Sequence, residues 1–374
     1  MRTDLCDRFG IDYPIFVFTP SEKVAAAVSR AGGLGVLGCV RFNEADDLEA
    51  VLSWMDANTG GKPYGVDIVM PAKVPTEGAA PDLDKLIPAA HRAFVDKTLA
   101  DLGVPPLPAD EQKSAGVLGW LHSVARSHVE VALRHPIKLI ANALGSPPTD
   151  VINQAHEAGV PVAALAGSAK HALHHVDNGV DIVVAQGYEA GGHTGEIGSM
   201  VLWPEIVDAL DGRAPVLAAG GIGTGRQVAA ALALGASGVW MGSAFLTAAE
   251  YDLGARESGV SVIQQALLGA TSSDTVRRRI YSGKPARLLK SRWTDAWDAP
   301  DAPDPLPMPL QNILVGEAHQ RMSRSTDPTA VAMPVGQIVG RMNQIRPVAD
   351  IIAELVSGFD AASRRLDDVR DASP

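Results

Sequence analysis

A single histidine stands in a glycine-rich loop that follows an apolar strand. Residues 185–195 read AQGYEAGGHTG and continue the apolar run DIVVA at 181–185. The imidazole of His193 can exchange a proton near neutral pH, or bind an anion when it is protonated. Glycines nearby remove side chains and make positive φ angles cheap, which predicts room for a planar ligand against the backbone. These glycines are Gly187, Gly191, Gly192 and Gly195. We predict that His193 is catalytic.

Two more glycine-rich loops follow later apolar runs. AAGGIGTG at 218–225 leads into a helical pattern that begins near Arg226, and MGSAF occupies 241–245. Backbone amides of such loops, with a helix dipole behind them, bind a phosphate dianion without a lysine. GGIGTG matches the dinucleotide fingerprint GxGxxG only loosely. The predicted phosphate ligands are the amides of Gly220, Gly221, Ile222, Gly242 and Ser243.

The other reactive residue types indicate neither a strong nucleophile nor a metal centre. No serine lies in a GxSxG elbow, and Cys6 and Cys39 have no zinc or disulfide spacing, which favours a reducing compartment. Cys39 follows an apolar run and is expected to be a buried apolar residue rather than part of a site. His171, His174 and His175 resemble a helix surface and lack a further ligand. We predict no metal, so a cofactor should carry the chemistry.

A repeated pattern predicts the elements that position these loops. Each repeat is a helix-like run, a glycine, a short apolar run and a second glycine. The first glycine suits the left-handed residue after a helix, and the last is expected to let the strand turn sharply. The repeats end in the segments 31–38, 158–167, 178–187 and 234–242.

Eight apolar runs are continuous rather than alternating, which indicates strands buried on both faces. They are 14–18, 34–38, 64–69, 138–143, 160–165, 181–186, 215–218 and 238–241. Amphipathic runs lie between most of them, at 22–30, 48–57, 149–158, 170–177, 201–210 and 226–234. Eight such units predict an α/β fold, a (β/α)8 TIM barrel over residues 1–245, in which loops seven and eight usually bind phosphate. An open, doubly wound sheet remains the alternative on pattern alone.

Two regions depart from this repeat. The insertion 71–136 is too long for one crossover and has prolines around helical pieces, which predicts a helical lid. The segment 246–374 is predicted to be a helix-rich extension that packs on the barrel. Its proline-rich stretch 295–310 should take an extended path.

The composition narrows the class of protein. The net charge is −11, with 46% apolar and 20% charged residues, which is typical of a globular enzyme and argues against a nucleic-acid partner. The basic cluster 277–279 is expected to be a solvated or ion-paired face. Neither a secretory signal nor an apolar run of about 18 residues is present, which predicts a cytoplasmic protein with no membrane contact. A homo-oligomer is left open.

The chain resembles the nitronate monooxygenase family, formerly called 2-nitropropane dioxygenases, over most of its length. The resemblance lies in PIFVFTPSEKVAAAVSRAGGLGVLG at 14–38, the histidine loop at 185–195, the glycine loops within 218–245, and SGKPARLLKSRW at 282–293. Members of this family are FMN-dependent TIM barrels that use a small-molecule substrate and oxygen. The resemblance implies FMN as the cofactor, contacted by Thr19, Asp67, Gln186, Gly191 and Gly192, with its phosphate on the amides named above.

The resemblance also implies a reaction. An alkyl nitronate would bind over the flavin with its nitro oxygens facing His193, and would pass an electron to the flavin before oxygen reacts. With a neutral nitroalkane, His193 would remove the α-proton. The chain departs from the family at two places: it reads FVFTP at 16–20 where a Gln-Ala-Pro-Met type sequence is usual, and Asp67 stands where Asn is frequent.

Two other functions remain open on the sequence. One is an FMN-dependent NAD(P)H reductase of enoyl or other α,β-unsaturated thioesters, since related FMN barrels resemble this chain and the insertion 71–136 could admit an acyl chain. The other is a flavin-binding or phosphate-binding module without turnover, which the altered first strand suggests.

Overall fold

The computed structural model describes residues 1–70, 83–108, 122–253 and 260–372, and its centre is a closed barrel of eight parallel strands. In barrel order the strands are β1 (Ile15–Thr19), β2 (Leu34–Gly38), β3 (Tyr64–Asp67), β4 (Ile140–Asn142), β5 (Val162–Ala166), β6 (Ile182–Gln186), β8 (Val216–Ala219) and β9 (Gly238–Met241). Each strand falls on a predicted apolar run. The TIM-barrel prediction is confirmed, and the open-sheet alternative is wrong.

Helices connect the strands and continue into the C-terminal extension. They are α1 (Asp4–Phe9), α2 (Glu22–Arg30), α3 (Ala45–Asn58), α4 (Ala89–Asp101), α5 (His122–Ala132), α6 (Thr149–Glu157), α7 (Ala169–Asp177), α8 (Ser199–Leu210), α9 (Gly225–Ala233), α10 (Val262–Leu268), α11 (Arg292–Trp297), α12 (Leu310–Ser323) and α13 (Val348–Asp371). The six predicted amphipathic runs coincide with α2, α3, α6, α7, α8 and α9. Within the described residues, no helix has the length and apolarity needed to span a bilayer.

The glycines of the repeat have two different roles. The first glycine of each repeat has a positive φ, as expected after a helix: Gly32, Gly159, Gly179 and Gly235 lie between +70° and +94°. The last glycine does not serve a left-handed turn. Gly167 packs on Gly195: a Cβ on Gly167 would lie 3.2 Å from the Gly195 Cα. A Cβ on Gly187 would lie 2.1 Å from Ser199 Oγ. Close packing is therefore a further reason for a glycine at these two strand ends.

Side chains along the barrel strands alternate between the interior and the helices. On β1, Phe16 belongs to the interior cluster, whereas Ile15 and Val17 pack in the outer layer. On β3, Tyr64 and Val66 pack outward. Because neighbouring residues of a strand point to opposite faces, the strand-end residues Phe18, Asp67 and Gln186 face the interior at the mouth of the barrel.

The insertion and the extension pack on each other and on the barrel. Helix α5 packs on α3, whereas α4 packs on α12 of the extension. The segments 71–82 and 109–121 of the predicted lid lie outside the described residues, so a lid stays a prediction.

The extension is not only helical. Two strands, β10 (Thr275–Arg278) and β11 (Ala286–Leu289), form an antiparallel sheet with β7 (Gly192–His193) in the order β10-β11-β7. The sequence analysis missed this sheet. Helix α13 packs on α9 and α2.

Candidate active site

His193 lies on β7, at the edge of the small sheet. Its register partner on β11 is Ala286, and Gly192 is paired with Arg287. Its Nε2 atom is 2.6 Å from the hydroxyl oxygen of Ser282, which also accepts the amide of Lys284 at 3.3 Å. The imidazole is therefore held by a segment of the extension that lies far from it in the sequence.

The setting of His193 disfavours a charged ring. Burial, with a smaller contribution from the nearby Lys284 ammonium, lowers the pKa of His193 to about 4. The free protein thus has a neutral imidazole at pH 7, which can accept a proton or donate one N–H. Binding of an anion by a protonated ring, one of the two roles that the sequence allowed, is disfavoured here because the ring loses its charge well below neutral pH.

Two arginines fix the loop that carries His193, which we call the histidine loop (residues 187–195). Arg277 donates to the hydroxyl of Thr194 at 3.0 Å and to its carbonyl at 2.9 Å. Arg287 donates to the carbonyl of Tyr188 at 3.0 and 3.2 Å, and its guanidinium lies 4.5 Å from the centre of the Tyr188 ring. Of the predicted basic cluster, Arg278 does form a surface ion pair, with Asp298. Arg277 is ion-paired too, with Glu196 at 3.6 Å, and it positions the histidine loop in addition.

The loops after β8 and β9 have the features of a phosphate site. Gly220 and Gly221 have φ values of +103° and +73°, so their amides take directions that other residues rarely reach. Helix α9 begins at Gly225 with no acidic residue in its first turn. Among the residues that the structure describes, no protein acceptor receives a hydrogen bond from the predicted phosphate-binding amides. These amides are those of Gly220, Gly221, Ile222, Gly242 and Ser243. Together with the α9 dipole, they fit a phosphate group.

A segment of the extension, which we call the strap (residues 333–340), crosses the histidine loop and the loop after β9. We call the loop after β8 the first phosphate loop and the loop after β9 the second. The amide of Gly336 donates to the Ser243 hydroxyl at 2.8 Å, which leaves the hydroxyl hydrogen of Ser243 free for another acceptor. The amide of Gln337 donates to the carbonyl of Glu189 at 2.9 Å. The strap thereby links the histidine loop to the second phosphate loop.

A carboxylate joins the histidine loop to the first phosphate loop. Glu189 accepts the amide and the hydroxyl of Ser199 at the start of α8, at 3.0 and 2.7 Å. The Ser199 hydroxyl oxygen also lies 3.0 Å from the carbonyl oxygen of Gly220. The α8 N-terminus stabilises this negative charge close to the predicted phosphate position.

The histidine-loop glycines are less open than predicted. A Cβ on Gly191 would lie 2.7 Å from the backbone of Val335 and Gly336, and Gly187 and Gly195 also pack on protein. The expectation that these three glycines leave space for a ligand is wrong, because the protein's own backbone fills it. Gly192 is open: its φ is +74°, and the nearest atom to an added Cβ would be the Pro334 Cβ at 4.0 Å. Contacts of Gly191 and Gly192 with a flavin stay predictions.

Thr19 is not placed as a cofactor ligand by its side chain. It has the outward parity of Ile15 and Val17, and its hydroxyl accepts the amide of Ser21 at 3.2 Å. The interior position at the end of β1 belongs to Phe18, whose ring packs on Gly38. A contact of Thr19 with the flavin would therefore come from its backbone and stays a prediction, because a one-residue step along a strand changes the face.

Asp67 and Gln186 do reach the mouth of the barrel. Asp67 is 2% exposed, and burial raises its pKa to about 7. Gln186 is half-buried and is paired in register with Ala219, the residue before the first phosphate loop. Cys39 is fully buried, as expected. Within the described parts of the chain, no group of three His, Cys, Asp or Glu residues could hold a metal ion.

The sequence analysis missed Ser282, Arg287 and Glu189 as site residues. Ser282 lies in the segment SGKPARLLKSRW that carried part of the resemblance, and this was the one available signal for it. For the other two, nothing in their local sequence distinguishes a buried contact from a surface charge.

Comparison with known proteins gives a consistent assignment. The sequence model of the nitronate monooxygenase family matches residues 3–358. A Mycobacterium tuberculosis protein provisionally named a monooxygenase is 47% identical over 372 residues, which is 96% of each chain.

Two solved structures are similar over nearly their whole length. Nitroalkane oxidase from Streptomyces ansochromogenes is 26% identical, with a TM-score of 0.77 over 97% of this chain and 99% of that one. FabK from Thermotoga maritima is 27% identical, with a TM-score of 0.73 over 99% of both chains.

Proposed function

Because this chain belongs to the nitronate monooxygenase family, we propose that it oxidises alkyl nitronates or nitroalkanes with molecular oxygen and uses FMN as its cofactor. The observation that supports this most is the pair of loops whose amides have no protein acceptor among the described residues, joined through the strap to a loop with a neutral histidine. FMN, when bound, supplies the electron acceptor and the reaction with oxygen.

The residues present fit this cofactor. The amides of the two phosphate loops and the free hydroxyl hydrogen of Ser243 are donors for a phosphate dianion. Gln186 and Asp67, which face the barrel interior, are the polar side chains for the ring. Gly192 offers open backbone beside His193.

His193 acts on the substrate, and Ser282 sets the hydrogen on its ring. With a nitroalkane, Nε2–H donates to the Ser282 oxygen, so Nδ1 has a lone pair that takes the α-proton. With a nitronate, the Ser282 hydroxyl donates to Nε2 instead, and Nδ1–H donates to a nitro oxygen. A serine hydroxyl serves both states because it donates and accepts.

Substitution of His193 by Asn tests this role. We expect kcat/KM for a nitroalkane to fall about 100-fold or more, since a general base typically contributes 10²–10⁴-fold, and kcat/KM for the pre-formed nitronate to fall far less. His171→Asn, on the exposed surface of α7, is the matched control and should change neither value. Equal losses on both substrates would contradict the base assignment.

A second candidate is an FMN-dependent NAD(P)H reductase of enoyl-type thioesters, and the similarity to FabK favours it. Anaerobic mixing separates the two. Bleaching of the bound flavin by a nitronate alone supports the monooxygenase, whereas bleaching by NADH or NADPH supports the reductase. A binding module without turnover predicts bound flavin that no donor reduces.

A further inference from the structure

Asp67 lies between two small residues at the mouth of the barrel. It is the last residue of β3, and its register partners are Gly38 on β2 and Ala141 on β4. Residues paired in register on parallel strands point to the same face, so a glycine and a methyl group flank the inward carboxyl. The Phe18 ring covers the Gly38 side, where an added Cβ would lie 2.9 Å from its Cε2, so apolar groups adjoin the carboxyl on both neighbouring strands.

No cation balances this carboxyl within the part of the chain that the structure describes. From β2, the nearest titratable group is the Cys39 thiol, whose pKa is raised by burial and by Asp67, so it stays neutral. Arg41 is ion-paired with Glu22. From β4, Asn142 is uncharged and its amide group binds backbone atoms of Met70 and Gly145.

From β1 and from its own strand, the groups near Asp67 are also uncharged. Phe18 packs its ring on Gly38. Burial raises the pKa of the Tyr64 phenol, which faces the outer layer and hydrogen-bonds Asp56. An ionised carboxylate buried without a cation is costly, and the group takes up a proton instead. This agrees with the raised pKa of Asp67, about 7.

A protonated carboxyl has one donor and one acceptor, as the amide of asparagine has. The pyrimidine part of a flavin offers carbonyl acceptors beside an N–H donor. We propose that Asp67 binds the flavin ring as a neutral carboxylic acid, and that loss of its proton weakens flavin binding. This rests on the proposed flavin cofactor, and it makes affinity for the cofactor sensitive to pH near neutrality.

The direction of the effect follows from linkage. If only the protonated form of Asp67 binds well, affinity is full below its pKa and falls about tenfold for each pH unit above it. Replacement of Asp67 by Asn keeps a donor and an acceptor but has no proton to lose. Its flavin affinity should therefore stay flat where that of the wild type falls.

The test is the dissociation constant of FMN from the apoprotein, measured by flavin fluorescence between about pH 5.5 and 8.5. We expect wild-type affinity to fall about tenfold or more across this range, and Asp67→Asn to keep the affinity that the wild type has at low pH. Cys39→Ala, which changes the neighbouring thiol, should keep the wild-type pH dependence.

A second measurement uses the apoprotein and does not depend on flavin binding. Infrared spectra of the wild-type apoprotein at pH 6 should contain a protonated-carboxyl band that titrates near pH 7 and that Asp67→Asn lacks. Tight FMN binding with a flat wild-type pH profile would overturn the role of Asp67 and leave the proposed function intact. Failure of the wild type to bind FMN at any pH would overturn both.

Discussion

Gly191 and Gly336 lie backbone against backbone where the strap crosses the histidine loop. A Cβ on Gly191 would be 2.7 Å from the Gly336 amide nitrogen, and a Cβ on Gly336 would be 3.0 Å from the Gly191 nitrogen and 2.7 Å from the Glu189 carbonyl oxygen. The neighbouring contacts are backbone atoms, which cannot swing aside as a flexible side chain can. The position of His193 therefore depends on a part of the chain that begins after residue 245.

Alanine at either glycine should separate the strap from the histidine loop. We expect Gly191→Ala and Gly336→Ala each to lower the free energy of unfolding by about 1–3 kcal/mol, as overpacking does, and to weaken FMN retention. Urea denaturation and the flavin content of the purified protein measure the two effects. Gly269→Ala is the control, since φ is −93° there and no atom lies within 4 Å of the added carbon. Wild-type stability of both strap variants would contradict this packing.

Ser282→Ala should separate proton transfer from binding. Loss of the hydroxyl removes the 2.6 Å contact that fixes the ring hydrogen of His193, so the tautomer with a free lone pair becomes less populated. We expect kcat for a nitroalkane to fall about 10-fold, with a smaller change in KM, because an orienting group contributes less than the base. Steady-state kinetics on nitroalkane and nitronate give the comparison. Ser282→Thr retains the hydroxyl and should recover part of the rate; an alanine variant with full nitroalkane activity would exclude the role.

Arg277 and Arg278 are adjacent on β10 and offer a matched pair. Arg277→Met should lower the free energy of unfolding by about 1–3 kcal/mol, because the Thr194 carbonyl loses its charged partner, and should also reduce activity by loosening the histidine loop. Arg278→Met removes an exposed ion pair and should cost about 0–1 kcal/mol, with activity retained. Denaturant titration and nitronate turnover test both variants. Equal effects of the two substitutions would refute the assignment of Arg277.

Buried histidines should make the protein sensitive to mild acid. Burial lowers the pKa values of His319 and His193 to about 4, and also lowers those of His128 and His175. The unfolded chain takes up these protons near pH 6.5, so the free energy of unfolding should fall as the pH drops from about 7 to 5.

His319→Phe is the variant that tests this. His319 stacks on Tyr281, with ring centres 4.7 Å apart, and its Nε2 has no partner among the described residues. The phenyl ring keeps the stacking and has no proton to gain, so the stability loss from pH 7 to 5 should be smaller than in the wild type. Urea denaturation at both pH values measures it, with His171→Gln as the control. An unchanged loss in His319→Phe would count against the buried neutral ring.

The sequence by itself determined the strands, the helices and the loops that bear the candidate site, whereas the structure decided that the strands close into a barrel rather than an open sheet. Strands buried on both faces leave continuous apolar runs, and helix ends leave glycines with positive φ, such as Gly32 and Gly235; both are local signals that the chain carries residue by residue. The glycine loops and His193 could be recognised in the sequence because they too are local features.

Only the tertiary structure decided what surrounds those loops. Ser282 contacts His193 although 89 residues separate them in the sequence. The strap fills the space beside Gly191 that was predicted to hold a ligand. The structure also showed that Phe18, and not Thr19, faces the barrel interior, since the face of a strand residue depends on the register in which the barrel closes. Contacts between irregular segments have no period in the sequence, because they depend on where the fold brings distant backbone together rather than on any local preference.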